Sequence, residues 1–196
     1  MTGMILIPIA LCLSFVFGSI PTGYWLGRVF CGKDIRKEGS GNIGATNTMR
    51  CLGKGYGALA LAFDVFKGWV AVTLFAQLYP WVYFPIACGL AAILGHTFSL
   101  FVRFRGGKGV ATSAGVFIGL APFPAAIAGI VFVVTLALTR MVSAGSVTAA
   151  ITLAVTVFLF PLPHPVRVFT VIVALLILIR HQSNLRRIWR HEEPKL

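Results

Sequence analysis

Negative charge is nearly missing from this 196-residue chain: five Asp and Glu stand against seventeen Lys and Arg, a formal net charge of +12 at pH 7. Charged residues of both signs make up only 11% of the sequence and apolar residues 58%, with a mean hydropathy of +0.90. A soluble domain could not keep that much apolar surface from water. Long polar stretches are missing as well. Met1 to Gly27, Gly68 to Val102, Gly109 to Thr139 and Met141 to Val166 hold no Asp, Glu, Lys or Arg. Nucleic-acid modules spread basic residues over a soluble surface, so no nucleic-acid partner is expected. The runs are too long and irregular for the alternating strands of an outer-membrane barrel, whereas helices satisfy their own backbone in lipid. The expected fold is therefore all-α, a polytopic integral membrane protein forming a single transmembrane domain over residues 1–196.

Other absences narrow the chemistry. The four cysteines, Cys12, Cys31, Cys51 and Cys88, have no paired spacing, which removes a zinc site or disulfide framework and leaves them as small buried hydrophobes. No paired carboxylate suits glycoside chemistry, no H-E-x-x-H or Cys–His cluster offers a metal site, and no H-x-x-x-x-D arrangement of one glycerolipid acyltransferase class is found. No metal and no cofactor are expected. A basic n-region and a cleavage site are also lacking, so Met4 to Gly27 reads as a retained span.

At about 20 apolar residues per crossing, the first span is expected at Leu6 to Val29. The second runs from near Tyr56 to Trp81 with Asp64 and Lys67 inside it, and the third from Val82 to Leu100. Gly109 to Thr139 is either one tilted helix or two short ones folded at Ala121-Pro122-Phe123-Pro124. Charge asymmetry favours two. Seven crossings place Arg28 to Lys54, Arg103 to Lys108, Arg140 and Arg180 to Lys195 on one side, collecting fifteen of the seventeen basic residues. By the positive-inside rule that side is cytoplasmic, with the N-terminus outside and the C-terminus inside. The last two spans are expected at Ser146 to Phe160 and Pro165 to Arg180.

The polar segments on that face carry the candidate chemistry. Gly39 to Arg50 (GSGNIGATNTMR) combines glycines, which let backbone N–H groups approach an anion, with the donors Ser40, Asn42, Thr46 and Asn47 and with Arg50. The same residues would also make an ordinary flexible loop. Gly39, Gly41 and Gly44 match G-x-G-x-x-G, but no strand precedes them. Phe104 to Gly109 brings Gly106, Gly107 and Lys108 to a helix start, which resembles a phosphate cradle or a glycine hinge with a topology lysine. It is not a Walker motif, since Val102 and Gly109 stand where a glycine and a hydroxyl belong. Ser143 and Ser146 open another helix, Ser143 as N-cap or ligand. His181 and Asn184 share a face at the end of the last span. Asp64 and Lys67, three apart, read as a structural pair or a functional one, and His96 as a buried hydrogen-bonded histidine or a base. With many donors and little acid–base equipment, such a site suits an already activated substrate.

The chain resembles the bacterial acyl-phosphate-dependent glycerol-3-phosphate acyltransferases. The likeness lies in GSIPTGYWLGR (Gly18 to Arg28), GSGNIGATNTMR, DVFKG (Asp64 to Gly68), GHTFSLFVRFRGGKGVATS (Gly95 to Ser113), SAGSVTAA (Ser143 to Ala150) and RHQSNLRR (Arg180 to Arg187). The resemblance implies a seven-helix enzyme of the bacterial cytoplasmic membrane, with its active site facing the cytoplasm. Its substrates would be glycerol 3-phosphate and acyl phosphate, with the acyl chain lying between helices toward membrane lipid. Ser40, Asn42, Thr46, Asn47 and Ser146 then hold the phosphate of the acyl donor, and Arg50, Lys108, His181 and Asn184 bind glycerol 3-phosphate. Gly41, Gly106, Gly107 and Ser143 complete the phosphate-binding set. A substrate phosphate takes the proton of the attacking hydroxyl. The C-terminal tail is short, and its Glu192 and Glu193 are expected to lack the structural role that the family gives this region. The rival reading, a transporter of a phosphorylated metabolite, would call for internal repeats, and none is detected.

Overall fold

The computed structural model describes residues 2–196, which divide into two compact units, Met1–Gly119 and Leu120–Leu196. Among the described residues the regular structure is helical and no strand is present.

The first unit begins with α1 (Thr2–Ser19), which is expected to continue to Val29 as one span. Instead the chain breaks at Ile20-Pro21 and resumes as α2 (Thr22–Phe30), bent by 50°. Proline supplies no N–H to a helical ladder, so carbonyls ahead of it lose their intrahelical partners. Those carbonyls are answered from elsewhere. The Ile20 carbonyl accepts from the Lys67 ammonium at 3.0 Å, and the Ser19 carbonyl from the Ser99 hydroxyl. Short α3 (Ala45–Leu52) then leads into α4 (Lys54–Thr73), followed by α5 (Phe84–Thr97) and α6 (Val110–Leu120).

Packing in this unit depends on small residues. A β-carbon on Gly18 would run into the Ala92 backbone, and one on Gly95 into the Phe15 carbonyl, so α1 and α5 meet backbone to backbone. Close approach of this kind holds helices together where no hydrophobic driving force separates lipid from protein. Ala10, Ala71, Ala76, Phe84, Cys88 and Ala92 form the adjoining core. Phe17, Phe63, Phe66 and Phe75 interlock at the edge of the bundle, with centroids 5.7–6.3 Å apart.

The second unit contains α7 (Pro122–Thr139), α8 (Val142–Thr156), α9 (His164–Arg180) and α10 (Gln182–Trp189). Arg140, left-handed at φ 59°, turns α7 back into α8, and the Thr148 hydroxyl donates to the Thr135 hydroxyl across this hairpin at 3.0 Å. The Leu196 N–H donates to the Arg140 carbonyl at 2.8 Å, which ties the chain's end to the same turn.

The fold at Ala121-Pro122 divides Gly109 to Thr139 as expected, but unevenly: α6 has 11 residues and α7 has 18, so only the first is short. Helix α8 starts four residues before the expected Ser146, and α9 breaks at His181, where α10 departs at 58°. Among the described residues, three helical segments are long and apolar enough to cross a membrane, Lys54–Leu78, Phe84–Val102 and Pro122–Thr139, or up to five if each bent pair is one span.

Breaking the buried Asp64–Lys67 pair should be costly, on the order of 3–5 kcal/mol, because one charge is left alone in an apolar bundle. Lys67→Met is expected to lower the thermal unfolding midpoint in detergent sharply, and the double variant Asp64→Leu/Lys67→Met to recover part of the loss. A midpoint unmoved by Lys67→Met would mean that the pair does not hold the helix break.

Candidate functional site

In the first unit, polar groups are organised around one buried ion pair. Asp64 Oδ1 lies 2.8 Å from Lys67 Nζ and accepts from the Thr22 hydroxyl at 3.1 Å; His96 Nδ1 is 3.8 Å away. Asp64, Lys67 and His96 are all under 5% exposed. The structural reading of the Asp64–Lys67 pair is the one these contacts favour. Lys67 and Thr22 fix the start of α2, and through it Gly23, which packs against the Ile43 carbonyl and the Thr48 hydroxyl.

That contact seats the N-terminus of α3. Asn47 Nδ2 donates to the carbonyls of Ile35 (2.8 Å) and Glu38 (3.2 Å), while its Oδ1 accepts from the Ser40 N–H at 2.8 Å. Asn47 therefore ties down the loop ahead of it, with both ends of its amide engaged by backbone. The Asn42 carboxamide oxygen accepts from the Gly44 N–H at 2.8 Å. Gly39 and Gly41 sit at φ 58° and 69°, left-handed conformations that favour glycine. The Asn47 and Thr48 amides bond to the Gly44 carbonyl, whereas those of Ala45 and Thr46 have no carbonyl ahead of them in the helix. Ser40 and Gly41 are exposed, Asn42 and Thr46 half-buried, and Arg50 lies exposed one turn beyond Thr46. The loop's outer side is closed by Arg36, which pairs with Asp34 at 2.7 Å and lies 4.3 Å over the Tyr24 ring. The Arg36 guanidinium lowers the Asp34 carboxyl to about 2. At such an exposed position the pair adds little stability.

The Phe104 to Gly109 segment differs from a phosphate cradle in one respect. The Gly106 and Gly107 N–H groups are spent on the carbonyls of Thr97 (3.1 Å) and His96 (3.0 Å) at the end of α5. A β-carbon on Gly107 would collide with the His96 ring. These glycines serve docking, and the segment brings the half-buried Lys108 to the first turn of α6, whose amides point to the same end. Both polar loops thus meet the same core: one through Gly23 and Thr22, the other through His96.

In the second unit, Ser143, Ser146, His181 and Asn184 are all buried. The N-cap of α8 is Met141, with no side-chain capping bond, so Ser143 is not the N-cap; the Ser146 hydroxyl donates back to the Val142 carbonyl at 2.8 Å. The His181 ring sits with Nδ1 2.8 Å from the Ile177 carbonyl. A carbonyl only accepts, so Nδ1 carries the proton and Nε2 is the basic nitrogen. Asn184 Nδ2 donates to Glu193 Oε1 at 2.6 Å, and Arg187 Nε to Glu193 Oε2 at 2.7 Å. Glu193 is the site residue that the sequence reading leaves out. Its one visible signal is that Glu192 and Glu193 are the only acids after Asp64. Burial alone would push its carboxyl up, but the hydrogen bonds from Asn184 and Arg187, with the Ser143 hydroxyl nearby, outweigh that and hold it below the usual value.

A group whose pKa is lowered by folding contributes stability above its unfolded value and loses it as pH falls through the folded one. Glu193→Gln should therefore lower the unfolding midpoint at neutral pH and flatten its decline in acid, from about pH 4.5 downward. Identical midpoint-against-pH curves for the two proteins would dismiss Glu193 as the brace of Asn184.

Comparison with known proteins bears on what these groups bind. Residues 8–191 match the family model described as glycerol-3-phosphate acyltransferase. A glycerol-3-phosphate acyltransferase of Listeria monocytogenes serovar 1/2a is 45% identical over 186 residues, covering 94% of this chain and 93% of its own length. One from Streptococcus equi subsp. zooepidemicus is 43% identical over 188 residues, covering 92% and 87%. Among solved structures, PlsY (YgiH), an integral membrane glycerol 3-phosphate acyltransferase, superimposes in its glycerol 3-phosphate form with a TM-score of 0.88 at 33% identity, covering 97% of this chain and 95% of that one. Its lysophosphatidic acid form gives 0.87 at 31% identity, with the same coverage.

Proposed function

This chain belongs to the glycerol-3-phosphate acyltransferase family, and from that premise we propose that it moves a fatty acyl group from acyl phosphate to the 1-hydroxyl of glycerol 3-phosphate. The products are lysophosphatidic acid and inorganic phosphate, the first step of phospholipid synthesis. The hydroxyl oxygen attacks the acyl carbonyl carbon, the bond from that carbon to the phosphate oxygen breaks, and the proton passes to a phosphate oxygen.

What supports this reading is the pairing of two glycine-rich segments at helix starts with a first-unit core whose one carboxylate, Asp64, is already engaged by Lys67 and Thr22. In the first unit, the ionisable side chains of the core are occupied with one another around Asp64. An acyl phosphate already contains its leaving group, so orientation and charge stabilisation supply the rate. In this reading the Ser40–Thr46 loop, with Ser146, steadies the departing phosphate. Arg50, Lys108, His181 and Asn184 receive glycerol 3-phosphate, and Gly41, Asn42, Asn47, Gly106, Gly107 and Ser143 shape the two pockets. No metal or coenzyme A is needed. An apolar cleft of about 380 Å³ between α2 and α4, lined by Thr22, Leu26, Leu59, Ala62, Phe63 and Phe66, is suited to the first part of the acyl chain.

The proposed setting is the bacterial inner membrane. Two shorter apolar helices, Val110–Leu120 and Val142–Thr156, join the three long segments and two bent pairs to make seven crossings of one acyltransferase domain. The N-terminus is then outside, and the basic segments and active site are cytoplasmic.

Purified protein in detergent should form lysophosphatidic acid from acyl phosphate and glycerol 3-phosphate; equal rates with acyl-CoA would overturn the donor assignment. Lys108→Ala is expected to raise KM for glycerol 3-phosphate at least tenfold, roughly the worth of one charge-assisted contact. Thr46→Ala should depress kcat, and a folded Thr46→Ala enzyme with native kinetics would remove that hydroxyl from the leaving-group pocket. Ala62→Phe should slow long-chain donors more than short ones if the cleft holds the chain.

A further inference from the structure

The link between α5 and α6 carries a feature that the transfer reaction does not use. Residues 98–106 fold back onto the end of α5 through backbone bonds from Phe104 to Ser99 (2.8 Å), Arg105 to Val102 (3.2 Å) and Gly106 to Thr97 (3.1 Å). Val102 is buried beneath them, and the Ser99 hydroxyl pins the link to the Ser19 carbonyl. This is a rigid link, yet it holds two successive non-glycine residues, Arg103 and Phe104, in the left-handed region at φ 56° and 61°. Side chains resist that conformation, so it persists only where the surroundings impose it.

The effect is to turn an aromatic and cationic face outward. Phe101 is 46% and Phe104 59% exposed, and Arg103 and Arg105, both exposed, flank Phe104. The face continues onto α2: Trp25 meets Phe101 edge to face at 5.3 Å, and exposed Arg28 lies one turn beyond Trp25. Three cations among exposed aromatic rings, of which Arg28 also feels Asp34 while the link itself carries no acid, match the boundary between headgroups and acyl chains. Aromatics settle there, and basic residues are drawn to anionic lipid.

We propose that Trp25, Arg28, Phe101, Arg103, Phe104 and Arg105 form a seat for the headgroup of an anionic phospholipid. The rings enter the acyl boundary and the guanidiniums hold the phosphate. The seat lies outside the substrate pockets, and it does not depend on which acyl donor the enzyme uses. It places a lipid phosphate a few residues from Lys108 along the chain, on a link too well bonded to shift freely.

The test uses the full chain with Trp25 as its one tryptophan, through Trp69→Phe, Trp81→Phe and Trp189→Phe, in phosphatidylcholine vesicles. Brominated phosphatidylglycerol should quench Trp25 at lower lipid fractions than brominated phosphatidylcholine. Arg103→Gln/Arg105→Gln should shift the phosphatidylglycerol curve toward the phosphatidylcholine one, by about fivefold for each arginine at the contribution of a basic residue near a charged bilayer. Curves for the two lipids that coincide in the arginine-bearing chain would overturn the proposal without any arginine variant. So would displacement of phosphatidylglycerol by soluble glycerol 3-phosphate, which would make the face part of the substrate pocket.

Discussion

The Asp64–Lys67 ion pair and the break at Ile20-Pro21 require each other. Inside an apolar bundle neither charge has water to fall back on, so each must be met by the other and by further polar groups. Lys67 finds its second acceptor in the Ile20 carbonyl, which is available only because the helix ends there. The Ile20 carbonyl, in turn, accepts both the Thr22 N–H at 3.1 Å and the ammonium, so the lysine ties it to the first turn of α2. Asp64 adds the Thr22 hydroxyl, so the pair grips the chain on both sides of Pro21. A bend that proline alone would leave loosely specified is thereby given one direction.

From that direction the placement of both polar loops follows. Helix α2 leaves the break with Gly23 against Ile43 and Thr48, which seats the N-terminal end of α3. On the other side of the pair, His96 lies under Gly107, and the link bearing Lys108 is bonded to the last carbonyls of α5. The loops are therefore registered against a common core rather than against each other. Their glycines do different work. Gly39 and Gly41 bend the backbone where a side chain would be strained, and Gly106 and Gly107 let one segment lie flush on another.

Composition alone places the chain in a membrane, because hydropathy over a window measures burial in lipid without knowledge of partners. The turn at Ala121-Pro122 was legible for the same reason, with the charge distribution deciding between one helix and two. The break at Pro21 was not. The uncharged run continues smoothly through it, and what fixes the bend is a lysine 47 residues further on. The glycine–lysine motif resembles a phosphate cradle in sequence, since spacing shows which amides exist but not which carbonyls have already claimed them. Glu193 was missed because its partners, Asn184 and Arg187, come from α10, with Ser143 near it at the start of α8. A tail carboxylate reads as solvated until those elements are assembled around it.

The distribution of charge explains why so little acid–base equipment accompanies so many donors. Acids number five in the chain, and the contacts of four show what occupies them: Asp34 with Arg36, Glu38 near Lys33, Asp64 with Lys67, and Glu193 with Asn184 and Arg187. Each of these carboxylates steadies a helix end or a loop, and Glu193 is turned to Asn184 and Arg187 rather than left free. The excess of seventeen Lys and Arg over five Asp and Glu would, on the proposed route, favour two phosphorylated reactants held close together despite their mutual repulsion. Once held, one reactant's phosphate is both the leaving group and, on the proposed route, the acceptor of the proton. A protein carboxylate placed there to act as base would weaken the field that assembles the reactants, so leaving the proton to the substrate is the arrangement this charge pattern favours.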